Sequence, residues 1–199
     1  MHEVKPLPFP AEEAGQTISP KSVEAHHDKL YAGYVNKRNE IEEKFDTVDL
    51  ASANQIYSRL RGLKEGETFA ANGMILHELY FAVMGGDGQP EGEIVEQLEK
   101  DFGSVDEWRQ LAAAVGMSAR GWSVTAFDPS DMKLHVYQAD AQNQGGVWGA
   151  LPIIALDVYE HSYWMEFAAD RKAYIEDWLN HLNWAAVEKR WQTIKSVLV

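Results

Sequence analysis

The chain reads as an α+β protein, with an N-terminal helical-hairpin lobe followed by a C-terminal α+β lobe around a small three-stranded antiparallel sheet. Three observations predict this. The periodic segments before residue 85 read as helices. Gly85-Gly86-Asp87-Gly88-Gln89-Pro90 is the strongest breaker in the chain and divides it into 1–87 and 88–199. Beyond it, residues 121–127 and 132–138 are strand-like around the turn Asp128-Pro129-Ser130-Asp131, and 151–158 is apolar on both faces.

Pro6, Pro8 and Pro10 make an extended start that lies along the body of the protein. Ser19-Pro20 is an N-cap with proline at the first helical position. It opens a helical stretch over 20–46 with Val23, Leu30, Tyr31, Tyr34 and Ile41 as apolar positions. A short helix is expected over 51–63, ending in Lys64-Glu65-Gly66-Glu67, and a buried one over 68–84. An amphipathic helix fits 91–102, and Ser104 with Glu107 forms a capping box for another, to about residue 119. Helical segments fill 160–199.

The 199 residues suffice for a core without staples, and the absence of cysteine removes disulfides, thiolate nucleophiles, zinc-thiolate sites and iron–sulfur clusters. A net charge of −13 repels nucleic acid and anionic membranes, so neither is expected as a partner. The N-terminus lacks a basic stretch followed by an apolar run, and no window is long and apolar enough to span a bilayer. The expected compartment is the cytoplasm.

Chemistry falls to the seven histidines. His77 sits in the most apolar helix, where it is either a satisfied core residue or a metal ligand. Asp157 ends an apolar strand, where a carboxylate is costly unless paired or coordinated, and His161 follows four residues later. A helical turn between them would point both side chains the same way, although a helix cap plus a surface histidine fits equally. Asp177 and His181 share that spacing within an ordinary amphipathic helix and read as a solvated face. His26-His27 alone reads as a polar helix face. A di-iron carboxylate bundle needs two Glu-x-x-His pairs, and only Glu24/His27 is present. No Gly-x-Ser-x-Gly turn supports a Ser-His-Asp hydrolase.

Taken together, these pieces resemble the iron/manganese superoxide dismutase family. The likeness runs from Leu7-Pro8-Phe9 through Ser19-Pro20, Ala71-Asn72-Gly73 before His77, Gly121-Trp122, Asn143-Gln144, Asp157-Val158-Tyr159-Glu160-His161 and Asn183-Trp184. The resemblance implies disproportionation of superoxide at one manganese or iron ion per subunit, ligated by His26, His77, Asp157 and His161. That set of three neutral nitrogens and one carboxylate leaves a divalent ion with net positive charge, which attracts an anion. Tyr34 matches the family's tyrosine at the mouth of the substrate channel. A glutamine that contacts the metal-bound solvent is expected from Gln144, with Gln142 as competitor, because Gly73 holds the alternative position. This arrangement favours manganese over iron. Glu160 matches the residue that bridges to a second subunit, so a homodimer, or a tetramer built from it, is expected through the Glu160/His161 surface.

The sequence also departs from the family. Leu30 and Trp164 stand where a histidine and a tyrosine usually guard the channel. Removing one member of a buried hydrogen-bonded pair costs about 1–3 kcal/mol, whereas replacing both with apolar groups is nearly neutral. Tyr159, Phe81 and Val124 replace frequent tryptophans, and Lys172 a common proline. These changes admit an alternative, a metal protein on the same fold acting on another substrate.

Overall fold

A computed structural model describes residues 1–14 and 18–197. Helix α1 (Pro20–Ala25) continues through a π-helical turn, His26–Tyr31, into α2 (Ala32–Lys44), so that one bent rod spans the predicted helical stretch. The Ser19 hydroxyl accepts from Ser22 N at 3.3 Å, satisfying one of the free amides at the helix start. Val23, Tyr31 and Ile41 are buried, whereas Leu30, expected on the apolar face, is 38% exposed.

The expected helices over 51–63 and 68–84 are corrected to one, α3 (Arg59–Ala82). Asn54 Oδ1 accepts from the amides of Ile56 and Tyr57, which holds the preceding segment in a turn. Ser58 then caps α3 by accepting from Arg61 N at 3.1 Å. Gly66, read as a terminator, is a packing residue: a Cβ there would lie 3.1 Å from Ile41 Cδ1 of α2. The charges around it support the helix, with Lys64 bonded to Glu67 at 2.9 Å.

The breaker at 85–90 does more than turn the chain. Gly88 has φ +71°, and a Cβ there would sit 1.9 Å from the Asn180 carbonyl, so the segment packs directly on the chain before the last helix. Helix α4 (Glu93–Phe102) and helix α5 (Val105–Ser118) follow, and Ser104 caps α5 by accepting from Glu107 N.

Strands β1 (Trp122–Asp128), β2 (Lys133–Ala139) and β3 (Leu151–Asp157) form an antiparallel sheet in the order β2-β1-β3. Pro152 is tolerated because β3 is an edge strand, and the β1/β3 register shifts beside it, at Thr125/Ala126. Trp108 of α5 donates to Thr125 Oγ1 at 2.9 Å, tying that helix to the sheet. A 3-10 turn (Glu160–Ser162) and helices α6 (Trp164–Phe167), α7 (Arg171–Asn180) and α8 (Trp184–Val197) complete the chain. Among the described residues, no helix is long and apolar enough to cross a membrane.

Candidate metal centre

His26, His77, Asp157 and His161 converge where the bent rod, α3 and the end of β3 meet, with donor atoms all within 4.8 Å of one another. His26 begins the π-helical turn, a local widening that re-aims side chains. His77 lies on α3, and its Nδ1 donates to Gly73 O at 2.6 Å, which leaves Nε2 with a lone pair toward the centre. Asp157 ends β3 opposite Trp122 of β1.

The Nε2 atoms of His26, His77 and His161 lie 3.3, 3.7 and 3.1 Å from Asp157 Oδ2. Buried Nε2 atoms of His26 and His77 have no hydrogen-bond partner. Two buried imidazole nitrogens without a hydrogen-bond partner among the described residues, facing one buried carboxylate, suit a cation between them better than they suit a core of neutral side chains. Three imidazoles and a carboxylate fit manganese or iron. Asp157 itself is clamped: Oδ1 accepts from Tyr159 N at 2.9 Å, and its main-chain carbonyl accepts from Tyr174 Oη at 2.7 Å and Ser162 Oγ at 3.1 Å. Neither Tyr174 nor Ser162 carries a sequence pattern that announces this role.

Burial lowers His26, and burial together with the neighbouring histidines holds His77 down at about 3. Burial acts to raise Asp157, but the hydrogen bond with His161 and the adjacent imidazoles of His161 and His26 hold it well below the ordinary carboxylate range. Burial acts to lower His161, yet Asp157 raises it above its usual value. In the metal-free protein, the unfolded chain takes up protons below about pH 6.5 that His77 refuses until about pH 3. His26 acts in the same sense, and Asp157 adds to the loss below its own unfolded value. His161 is protonated in both states there, and its contribution is lost only as pH rises through its folded value. Apoprotein stability should therefore peak near pH 6.5 and fall on acidification by up to about 1.4 kcal/mol per unit for His77 alone. Urea unfolding across pH measures this; a flat acid limb would show that the buried histidines protonate freely.

Gln144, the expected glutamine, and its competitor Gln142 lie in different surroundings. Gln144 is exposed and forms an isolated bridge with Ala141, whereas Gln142 is buried. Gln142 Oε1 accepts from Trp122 Nε1 at 2.7 Å, and its Nε2 donates to Tyr34 Oη at 3.0 Å. Gln142 lies inside the tight turn closed by the Ala141–Gln144 bridge. Gly73 gives Tyr34 its room, since a Cβ there would fall 2.5 Å from the tyrosine ring. Burial raises the Tyr34 phenol, with Gln142 opposing.

An open groove of about 790 Å³ leads past Tyr34, with Lys29 and Lys37 on its rim and Phe69, Asn143 and Gln144 along its wall. Lys37 is paired with Glu40, and Glu65 also lines the groove, so Lys29 is its lysine without an ion pair among the described residues. Leu30 lines the same groove, while Trp164 is 51% exposed and His161 is partly exposed. His181 Nδ1 bonds back to Asp177 O, in keeping with a helix-face pair. A second group, Asp128, Asp131 and His135, lies on the β1–β2 turn, where its carboxylates already accept from Ser130 N, Lys133 N and Tyr137 Oη.

Three histidines and one aspartate, all buried except His161 and shared between a helical lobe and an α+β lobe, define a mononuclear metalloprotein of the manganese or iron type. Residues 1–85 match the alpha-hairpin domain of iron/manganese superoxide dismutases, and residues 90–190 match their C-terminal domain. The chain belongs to the iron/manganese superoxide dismutase family. It is 35% identical to the superoxide dismutase [Fe] of Aquifex pyrophilus, over 96% of this chain and 92% of that one. Identity to superoxide dismutase [Mn] 1 of Halobacterium salinarum is 32%, covering 96% and 95%. To superoxide dismutase [Mn/Fe] of Aeropyrum pernix it is also 32%, covering 95% and 90%.

Proposed function

We propose that the chain is a superoxide dismutase, converting two superoxide anions and two protons to dioxygen and hydrogen peroxide. Manganese or iron would be held by His26, His77, Asp157 and His161. The observation that carries this reading is the pair of orphaned imidazole nitrogens facing a buried carboxylate, in a chain of this family. An ion held there would supply the electron exchange between two superoxide anions. The chain supplies position and protons. Gly73 O and the clamp on Asp157 fix the donor atoms before metal arrives. Gln142 donates to Tyr34 Oη, which leaves the tyrosine proton free for the groove side, where peroxide formation consumes protons. Lys29 draws the anion in, and the apolar Leu30 side chain lines the groove beside it.

Manganese is our first assignment. The buried glutamine comes from the segment before β3, and Gly73 leaves no room for one from α3. The lobes divide at 87/88, and the cytoplasm is the compartment assigned. The test is metal content by mass spectrometry together with superoxide consumption on the same sample. One equivalent of manganese or iron with rapid consumption is expected. A fully loaded protein at background rate would instead favour another substrate behind the Leu30 and Trp164 mouth.

The exposed Glu160, the partly exposed His161 and the apolar Trp164 and Met165 form the face we assign to a second copy. Glu160→Ala is expected to shift the sedimenting species toward monomer and to weaken metal retention by about 10–100-fold, because the partner's support of His161 is lost. An unchanged mass with unchanged metal content would show that this face is not the interface.

A further inference from the structure

Four aromatic rings pack against His26: His77, His161, Phe81 and Tyr80. Two are candidate ligands themselves, and a phenylalanine ring is very hard to oxidise. Tyr80 is thus the one readily oxidised ring that His26 touches outside the donor set, with centroids 5.1 Å apart. Tyr80 also lies 6.4 Å from Trp122, the ring packed on His77. On its far side Tyr80 stacks on Trp178 at 5.8 Å, with planes only 6° apart. Trp178, only 3% exposed, lines a small crevice with Met84 and the partly exposed Asp177 and His181. The Asp157 clamp uses Tyr174 and not this stack, and the proposed dismutation uses neither Tyr80 nor Trp178.

We infer that Tyr80 and Trp178 form an outlet for oxidising equivalents, leading away from the metal ligands toward the crevice, and so protect the site from its own product. The inference rests on the manganese/iron reading, since peroxide formed there meets a reducing ion. Reduction of hydrogen peroxide to two waters takes two electrons and two protons. The divalent ion gives one electron and Trp178 gives the other, relayed through Tyr80, while both protons come from solvent. Trp178 is left as a radical cation. Its indole N–H has no acceptor among the described residues, so nothing draws off the proton. Tyr80 is less suited to keep the hole. Losing an electron forces a phenol to lose its proton, and its one polar contact is the Tyr174 hydroxyl at 3.3 Å, a weak base. A thiol or other one-electron donor at the crevice restores Trp178. Without one, the cation adds water, releases two protons and returns its second electron to the trivalent ion, giving hydroxytryptophan. The sum is tryptophan plus peroxide giving hydroxytryptophan plus water.

The test uses iron-loaded full-length protein, with iron content measured first, then limiting peroxide and peptide mass spectrometry. Wild type should carry the added oxygen chiefly at Trp178. In Tyr80→Phe, which keeps the stack, and in Trp178→Phe, it should move to His26, His77 or His161, with faster iron release. Iron content and circular dichroism of each variant before peroxide establish that the site is intact. Oxygen mainly on the ligands or Trp122 in wild type, or equal marking of Trp178 in Tyr80→Phe, would overturn the relay. Marking of the zinc-loaded protein to the same extent would also overturn it, because peroxide would then reach Trp178 directly. A wild type that takes up no iron would instead sink the metal-site reading, and the relay with it.

Discussion

Asp157→Asn should yield a folded protein that no longer retains manganese or iron and consumes no superoxide above background. Asp157 is fully buried and is the only anionic donor of the four. One oxygen is committed to Tyr159 N, so the asparagine carbonyl must take that place to keep the bond. Its amide then points the two N–H donors at the spot where three imidazole nitrogens converge. Those donors repel a cation but can satisfy the orphaned acceptors of His26 and His77, so the apoprotein survives. In wild type, metal at a thousandfold excess over Kd adds about 4 kcal/mol, or about 8–16 °C in Tm for a chain of this size. That increment should vanish in the variant, as measured by thermal unfolding with and without metal. A full equivalent of metal retained by Asp157→Asn would show that the carboxylate is not a ligand.

Gln142→Ala is expected to lower turnover by about 10–100-fold, while Gln144→Ala leaves it unchanged. The first change strips a partner from a buried indole and a half-buried phenol at once. Trp122 Nε1 loses its acceptor and Tyr34 Oη its donor, at about 1–3 kcal/mol for the stranded indole. Tyr34 then loses the bond that orients its hydroxyl toward the groove. Gln144 is exposed, and its backbone bond to Ala141 survives truncation. Steady-state superoxide consumption and urea unfolding on both variants separate the cases. Equal losses from the two would mean that the 140–150 segment acts through its backbone and not through one side chain.

Much of this was legible along the chain because it depends on neighbours in sequence. Caps at Ser19 and Ser104 work within three residues. The hairpin at 128–131 and its strands follow local turn chemistry. Asp157 and His161 are brought together by the turn that follows β3. The misread helices show the limit of such reasoning. Gly66 looks the same in a list of residues whether it ends a helix or lets one pass close to Ile41, and only the position of α2 distinguishes the two.

The sequence by itself determined the three strands and the caps of their neighbouring helices, the division into a helical and an α+β half, and the donor types available to a metal. Those follow from local propensity, capping and the cost of placing a carboxylate at the end of an apolar strand. Tertiary structure alone decided that Gln142 and not Gln144 meets Tyr34, 108 residues away, and that Tyr80 lies between His26 and Trp178. Both depend on which side chain a distant element meets, and that is set by close packing of the whole core, not by spacing along the chain.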